Sequence, residues 1–343
     1  MAQELRFGLI GVGAVAPRHV TAIQETPGAT LVAVCSRNEE KVKKFAQENG
    51  RVAWCTDYQE IIRRPDINAV AVTLPHNLHE SVCLEAAAAG KHILMEKPLA
   101  ITVEECDRMI GACEQAGVTL ATCFQGRYEP LAKKLHAELN AGKLGRLLLA
   151  SLHVQWYRDM AYYKSVAWRG KLATEGGGVI INQASHGLDM LLWLAGPVES
   201  VTANVATINH DIEVEDVVHA IVRFKSGAMG IIEATTVAYP GFNEELHFSG
   251  TGGSAIFEKG AGRIRWHLRE PKSEWVDQGE ASSGAGSAMA ISAGPHIAAY
   301  QDFAAAIREK RAPLIDGREG RRSIELIQAI YQSGREQKTV QLG

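Results

Sequence analysis

The chain carries almost no net charge, −3 over 343 residues, and has no basic block. That argues against nucleic acid as a partner, since a phosphate backbone calls for a clustered basic surface. Its cysteines make no C-x-x-C pair. Cys35, Cys55, Cys83, Cys106, Cys113 and Cys123 all fall in the first 123 residues, in apolar surroundings. They read as buried free thiols of a reducing compartment rather than a disulfide frame. The histidines form no H-E-x-x-H and no paired Cys/His ligand spacing, so no metal is expected. The absence of G-x-S-x-G and of a P-loop lysine leaves acyl and phosphoryl transfer without support. No apolar run approaches the ~18 residues of a spanning helix, and no basic-then-apolar leader precedes the first strand. These absences predict a cytoplasmic globular protein with no membrane partner, long enough for about two domains.

What is present begins with "RFGLIGVGAVAPRHVTAIQET". An apolar strand at 6–10 runs into Gly11, Gly13 and Ala16, a G-x-G-x-x-A spacing, and then into a helical pattern. Gly11 permits the tight turn, Gly13 admits a pyrophosphate, and Ala16 lets helix and strand pack closely. Ala14 and Val15 complete the turn, where helix N–H groups would face phosphates. A second strand, "TLVAVCSR" (30–37), follows at βαβ spacing. At its end, where an acidic residue would accept from a ribose 2′-hydroxyl, stand Ser36 and Arg37. A hydroxyl and a guanidinium suit a 2′-phosphate, so NADP is favoured, with NAD possible if Arg37 only stacks on adenine.

Strands at 69–74, 92–96 and 119–124 alternate with helices near 38–48, 57–63, 78–89 and 102–116, which predicts a doubly wound parallel sheet. Polar clusters lie at its strand ends: "PHNLH" (75–79), "EKP" (96–98) and "QGRY" (125–128). Ligands on such sheets bind beyond those carboxyl ends. From about 126 the pattern changes. A helix at 129–141 precedes a meander of strands at 146–157, 198–208, 217–224, 228–237, 244–250, 254–258 and 262–268. A glycine-rich stretch at 279–295 is expected to be a mobile loop, and helices at 296–309 and 319–335 close the chain. The expected division is 1–125 and 126–343.

The stretch "TLPHNLHESVCLEAAAAGKHILMEKPLA" (73–100), together with the glycine turn, resembles the Gfo/Idh/MocA family of NAD(P)-dependent oxidoreductases. "WRG" (168–170), "GGG" (176–178) and "HGLD" (186–189) resemble its sugar-active members. The resemblance implies a Rossmann domain followed by an α+β domain. The second domain's open, mostly antiparallel sheet would pack across an active cleft and use its other face for homodimer or homotetramer contacts. It implies that Leu74, Pro75, Asn77, His79, Glu96, Lys97 and Gln125 line the cofactor, with Trp168 and Arg169 reaching toward it. Lys97 would stabilise an alkoxide, and His186 would take the hydroxyl proton. Many members carry Asp where this chain has Asn182. An amide reads a hydroxyl but cannot support an imidazolium as a carboxylate does. The corresponding set here is Lys97, Asn182 and His186, with Gln183 alongside; the stretch 176–196 is expected to pass from a glycine-rich loop into a helix that puts Asn182 and His186, four apart, on one side. Asp189 either orients His186 or caps a structural network. Arg127, Tyr128, Tyr157, Arg158, Tyr163, Lys164, Trp168 and Arg169 are a dense aromatic and cationic set suited to a polyhydroxylated ring.

The expectation is a reversible dehydrogenase acting on a ring secondary hydroxyl of a sugar, cyclitol or derivative, with hydride passing to nicotinamide C4. A catalytically silent cofactor-binding regulator and an enzyme that retains NAD through each cycle are the alternatives.

Overall fold

The computed structural model describes residues 4–281 and 292–343. The expected mobile loop at 279–295 lies largely outside them. The chain divides into two compact units, residues 1–128 with 292–321, and 129–291 with 322–343.

The first unit is built on six short apolar strands. They are β1 (Leu5–Ile10), β2 (Ala29–Cys35), β3 (Ala53–Cys55), β4 (Ala69–Val72), β5 (His92–Glu96) and β6 (Leu120–Cys123). All neighbours pair in parallel, in the order β3-β2-β1-β4-β5-β6. Helices cover the sheet: α1 (Ala16–Gln24), α2 (Glu39–Glu48), α3 (Tyr58–Arg63), α4 (His79–Ala88) and α5 (Val103–Ala116). That explains why β1, β4 and β6 are almost wholly buried apolar runs rather than alternating ones. Side chains set the helix starts. Asn38 caps α2 and Asp57 caps α3, while Thr102 and Glu105 form a capping box on α5.

The second unit opens with α6 (Pro130–Asn140) and β7 (Leu147–Gln155). Two short helices follow, α7 (Met160–Lys164) and α8 (Leu172–Glu175), and then α9 (Ser185–Ala195). Strands β8 (Val198–Ala206), β9 (Val217–Phe224), β10 (Met229–Thr235), β11 (Glu245–Gly250), β12 (Gly253–Glu258), β13 (Arg263–Arg269) and β14 (Lys272–Gln278) come next. Helix α10 (Gly294–Glu309) and the start of α11 (Gly317–Glu336) belong to the first unit, and the rest of α11 and a final β15 (Val340–Gln341) to the second. The nine-stranded order is β14-β13-β12-β11-β7-β10-β9-β8-β15. It is not a plain meander. The first strand, β7, sits near the middle, antiparallel to β11 and parallel to β10. Period-2 burial along β9 turns Val218, Ala220, Val222 and Phe224 inward and leaves Ile221 on the open face.

Three differences from the sequence reading have physical causes. Residues 292–321 belong to the first unit, not the second, because Tyr300 and Phe303 of α10 pack on Phe7 of β1 at ring separations of 5.4 and 6.2 Å. Strands β3, β14 and β15 were not expected; they are short or alternate with exposed polar residues and lack an apolar run. Helix α9 begins only at Ser185, so Asn182 lies in the turn before it.

Candidate functional site

In the first unit the reactive-looking residues gather at the carboxyl ends of the strands. Gly11 has φ +107°, and a Cβ there would stand 2.6 Å from the Thr73 carbonyl and hydroxyl oxygens at the end of β4. Its N–H donates to Cys35 O (2.9 Å), and its carbonyl accepts from Thr73 Oγ1 (2.9 Å). The turn is therefore clamped between β2 and β4, at the point where the strand order reverses. Gly13 is the opposite case. Nothing lies within 4 Å of where its Cβ would be, so its backbone is open to an approaching group. Val15 is the N-cap of α1 and makes no side-chain cap hydrogen bond, and Pro17 lies in the first turn. Ser36 is half-buried and Arg37 exposed at the end of β2. This cradle fits a dinucleotide: a clamped glycine, an open glycine and a helix start free of side-chain capping.

Glu96 and Lys97 end β5. Glu96 is buried, with Oε1 2.8 Å from His19 Nε2, and its Oε2 accepts from the Lys97 backbone N–H at 3.1 Å. His19 Nδ1 lies 2.7 Å from the Tyr300 hydroxyl. Burial opposes ionisation of Glu96, but the His19 hydrogen bond, with the charges of His19, His296 and Lys97, outweighs it and holds the carboxyl well below its usual range. His296, with its pKa pushed down to about 4 mainly by burial, and Cys123 complete a buried group whose ligand-type atoms lie within 4.8 Å of one another. The 2.8 Å contact between His19 and Glu96 is a hydrogen-bond spacing. Two ligands on one tetrahedral zinc stand about 3.3 Å apart. The group is a hydrogen-bonded support beneath Lys97, whose own side chain is half-buried.

Other residues expected at the cofactor have mixed placements. Leu74 and Pro75 are half-buried and Asn77 is exposed, as part of a short 3-10 turn at His76–Leu78. Gln125 is buried, and its Oε1 has no hydrogen-bond partner among the described residues. His79 is fully buried, with Nε2 3.0 Å from Leu74 O and Nδ1 2.9 Å from Pro98 O. Burial pushes its pKa down against the pull of those carbonyls. It is a fully buried strut between two strand-end loops, its neutral ring able to donate one N–H to one of the two carbonyls. Arg127 and Tyr128, read as substrate contacts, are also buried. Arg127 pairs with Glu319 at 2.6 Å, and Tyr128 donates to Asp302 at 2.9 Å. These contacts tie the turn after β6 to α11 and α10.

In the second unit the glycine turn 176–178 is pinned from below. Glu215 is buried. Its Oε2 accepts from Gly178 N (2.8 Å), and its Oε1 accepts from Ile180 N (3.0 Å) and the Tyr331 hydroxyl (3.1 Å). Burial still dominates and raises its pKa to about 7. Beyond the turn, the Asn182 amide nitrogen donates to Glu175, and Ser185 Oγ donates to Asn182 O at 3.1 Å. Gln183 is buried and donates to the Tyr162 hydroxyl at 2.9 Å. His186 is the half-buried second residue of α9. Asp189 is buried and belongs to the surroundings of Lys259. Burial works against that ammonium, but Glu244, Glu129 and Asp189 outweigh it.

The aromatic and cationic set divides. Arg169 lies over the Tyr162 ring at 4.1 Å and donates to Ser165 Oγ at 2.6 Å. Arg158 lies 5.2 Å from the centre of the same ring. Tyr163 is buried against Thr236, hydroxyl to hydroxyl at 2.8 Å, while Tyr157 and Lys164 are exposed and Trp168 half-buried. Glu175, Glu215, Tyr162 and Tyr331 were missed by the sequence reading. A glutamate directly before three glycines was the one available signal for Glu175.

The strand order, the clamped Gly11 and the open Gly13 define the first unit as a dinucleotide-binding fold. Residues 5–124 match the model of the oxidoreductase family with an NAD-binding Rossmann fold, and residues 132–256 match the GFO/IDH/MocA C-terminal domain. A 1,5-anhydro-D-fructose reductase of Ensifer adhaerens is 32% identical over 254 residues, covering 73% of this chain and 75% of the relative. The crystal structure of the WlbA dehydrogenase from Bordetella pertussis in complex with NADH and UDP-GlcNAcA superposes with a TM-score of 0.86 at 32% identity, over 99% of each chain. Levoglucosan dehydrogenase in complex with NADH and levoglucosan gives a TM-score of 0.89 at 26% identity, also over 99% of each chain. The chain belongs to the Gfo/Idh/MocA family of NAD(P)-dependent oxidoreductases. Among the described residues no helix is long and apolar enough to cross a membrane.

Proposed function

We propose that the chain is a dehydrogenase oxidising a ring secondary hydroxyl of a sugar, cyclitol or sugar derivative, reversibly. The observation that carries this is Lys97 at the carboxyl end of β5, held on the buried His19–Glu96 pair. The two structural relatives, which hold NADH with levoglucosan or with a nucleotide-linked sugar acid, support the substrate class. Gly11, Gly13, Ala14 and Val15 would hold the pyrophosphate, and Gln125 and Glu96 the nicotinamide end. When bound, the nicotinamide accepts or returns a hydride at C4. In this reading the Lys97 ammonium stabilises the alkoxide, His186 takes the hydroxyl proton at an imidazole nitrogen, and Asn182 and Gln183 read neighbouring hydroxyls. Ser36 and Arg37 favour a 2′-phosphate, hence NADP. The exposed Leu149, Ile221, Met229 and Ile231 of the open sheet face form an apolar strip that a second copy of the chain would cover, giving a homodimer or homotetramer.

The experiment is reduction of NAD+ and NADP+, followed by nicotinamide absorbance, across aldoses, inositols and uronates, with Lys97→Ala alongside. Turnover on one ring class, lost in a variant that still binds dinucleotide, is expected. Silence of the wild type on every ring alcohol, with normal dinucleotide binding, overturns the reading.

A further inference from the structure

The family resemblance implies an aspartate where this chain has Asn182, and the structure offers a physical reason for the amide. Glu175, the last residue of α8, is 1% exposed. Its Oε2 accepts from Gly170 N at 2.5 Å, and its Oε1 accepts from Asn182 Nδ2. Each Glu175 oxygen accepts from an N–H group, which fixes which end of the Asn182 amide faces it. The nitrogen turns to Glu175 and the oxygen turns the other way. We infer that Glu175 is a positioning residue that orients Asn182 so that its Oδ1 accepts from a substrate hydroxyl. The carboxyl group that an aspartate would supply at this position stands one hydrogen bond behind the amide.

The same geometry disfavours an ionised aspartate at 182 while Glu175 remains. Two carboxylates at hydrogen-bond distance cannot both ionise, so one would keep a proton at neutral pH. Glutamine at 175 has the converse effect. Its oxygen would accept from Gly170 N–H, its Nε2 would face the Asn182 nitrogen, and Asn182 would flip to present N–H groups outward. The pair exchanged together is self-consistent again. The introduced glutamine keeps its oxygen on Gly170 and donates its nitrogen to the introduced aspartate, whose second oxygen is an outward acceptor.

The role for Oδ1 rests on the substrate-reading assignment of Asn182 proposed above. A four-cornered comparison separates the two. Thermal melts of wild type, Glu175→Gln, Asn182→Asp and the double variant across pH test the pairing without any substrate. Asn182→Asp is expected to melt several degrees lower at neutral pH and to recover in acid, with one carboxyl titrating about 2 units or more above its ordinary value. The double variant is expected to melt like the wild type at every pH. Steady-state kinetics on the best substrate test the role. Glu175→Gln is expected to keep its melting temperature and lose about tenfold in kcat/KM, the scale of one hydrogen bond, with recovery in the double variant. A wild-type melting profile for Asn182→Asp, or a double variant that recovers nothing, overturns the pairing. A restored melting cycle with turnover indifferent to Glu175→Gln overturns the positioning role and leaves Glu175 a structural partner. A wild type inert on every ring alcohol overturns the function reading and this role with it, while the melting cycle still decides the pairing.

Discussion

Glu215 turns the glycine turn of the second unit into a pH-sensitive element. Its carboxyl goes from an ordinary 4.5 to about 7 on folding, because burial outweighs the donors at Gly178, Ile180 and Tyr331. A raised carboxyl means that the folded chain binds a proton the unfolded chain has released. Stability from this group is therefore complete below pH 4.5, falls as pH rises, and levels off above 7. At about 1.36 kcal/mol per pH unit the loss across that window is about 3 kcal/mol. The proton has a place to go: a protonated Glu215 can donate to the Tyr331 hydroxyl oxygen, 3.1 Å away. Glu215→Gln removes the titration and keeps the shape, so other groups cancel in the difference between the two proteins. Denaturant unfolding at intervals from about pH 4.5 to 8 is expected to show the wild type losing about 3 kcal/mol relative to the variant by about pH 7. Parallel profiles, or a wild type that gains on the variant as pH rises, would refute the reasoning. They would mean that the three donors, not burial, set the charge of Glu215.

Gly13→Ala meets nothing within 4 Å, so its melting temperature should match the wild type while dinucleotide affinity falls about tenfold or more by titration calorimetry, on the order of one blocked phosphate contact. Gly11→Ala instead drives a Cβ into Thr73 at φ +107° and should cost about 2–4 kcal/mol in unfolding free energy as well as affinity. Arg127→Met should lower stability by about 2 kcal/mol, because it strands a Glu319 that is still partly hydrated. Its KM should stay within about twofold of the wild type; a large KM rise would return Arg127 to the substrate. Arg37→Ala should weaken NADP+ about tenfold and leave NAD+ unchanged in fluorescence titration; equal losses would show that the guanidinium only stacks.

What was legible in the sequence follows from how locally each feature is determined. The buried runs of β1, β4 and β5 and the glycine turn each depend on residues within one βα unit, and the pattern placed them within a residue or two. Features decided by distant partners were not readable. Arg127 finds Glu319 across 192 positions and Tyr128 finds Asp302 across 174, so residue types suited to sugars read as substrate contacts, and their contacts with α10 and α11 were not visible in the sequence. Tyr300 and Phe303 returning to Phe7 is the same kind of long-range event. Asn182 is the instructive exception, since Glu175 lies only seven positions away. Helical periodicity hid it. A helical pattern continued from Glu175 through 182 would set the carboxylate and the amide two turns apart on one rod, where they do not touch. The glycines break that rod, Gly176 with φ +82° and Gly177 with φ +158°. The chain folds back and brings Glu175 onto the amide. The stretch 176–178 is therefore what makes asparagine the fitting residue at 182. An aspartate in this turn would need a partner other than glutamate at 175, and the exchange of both residues together is the substitution the fold should accept.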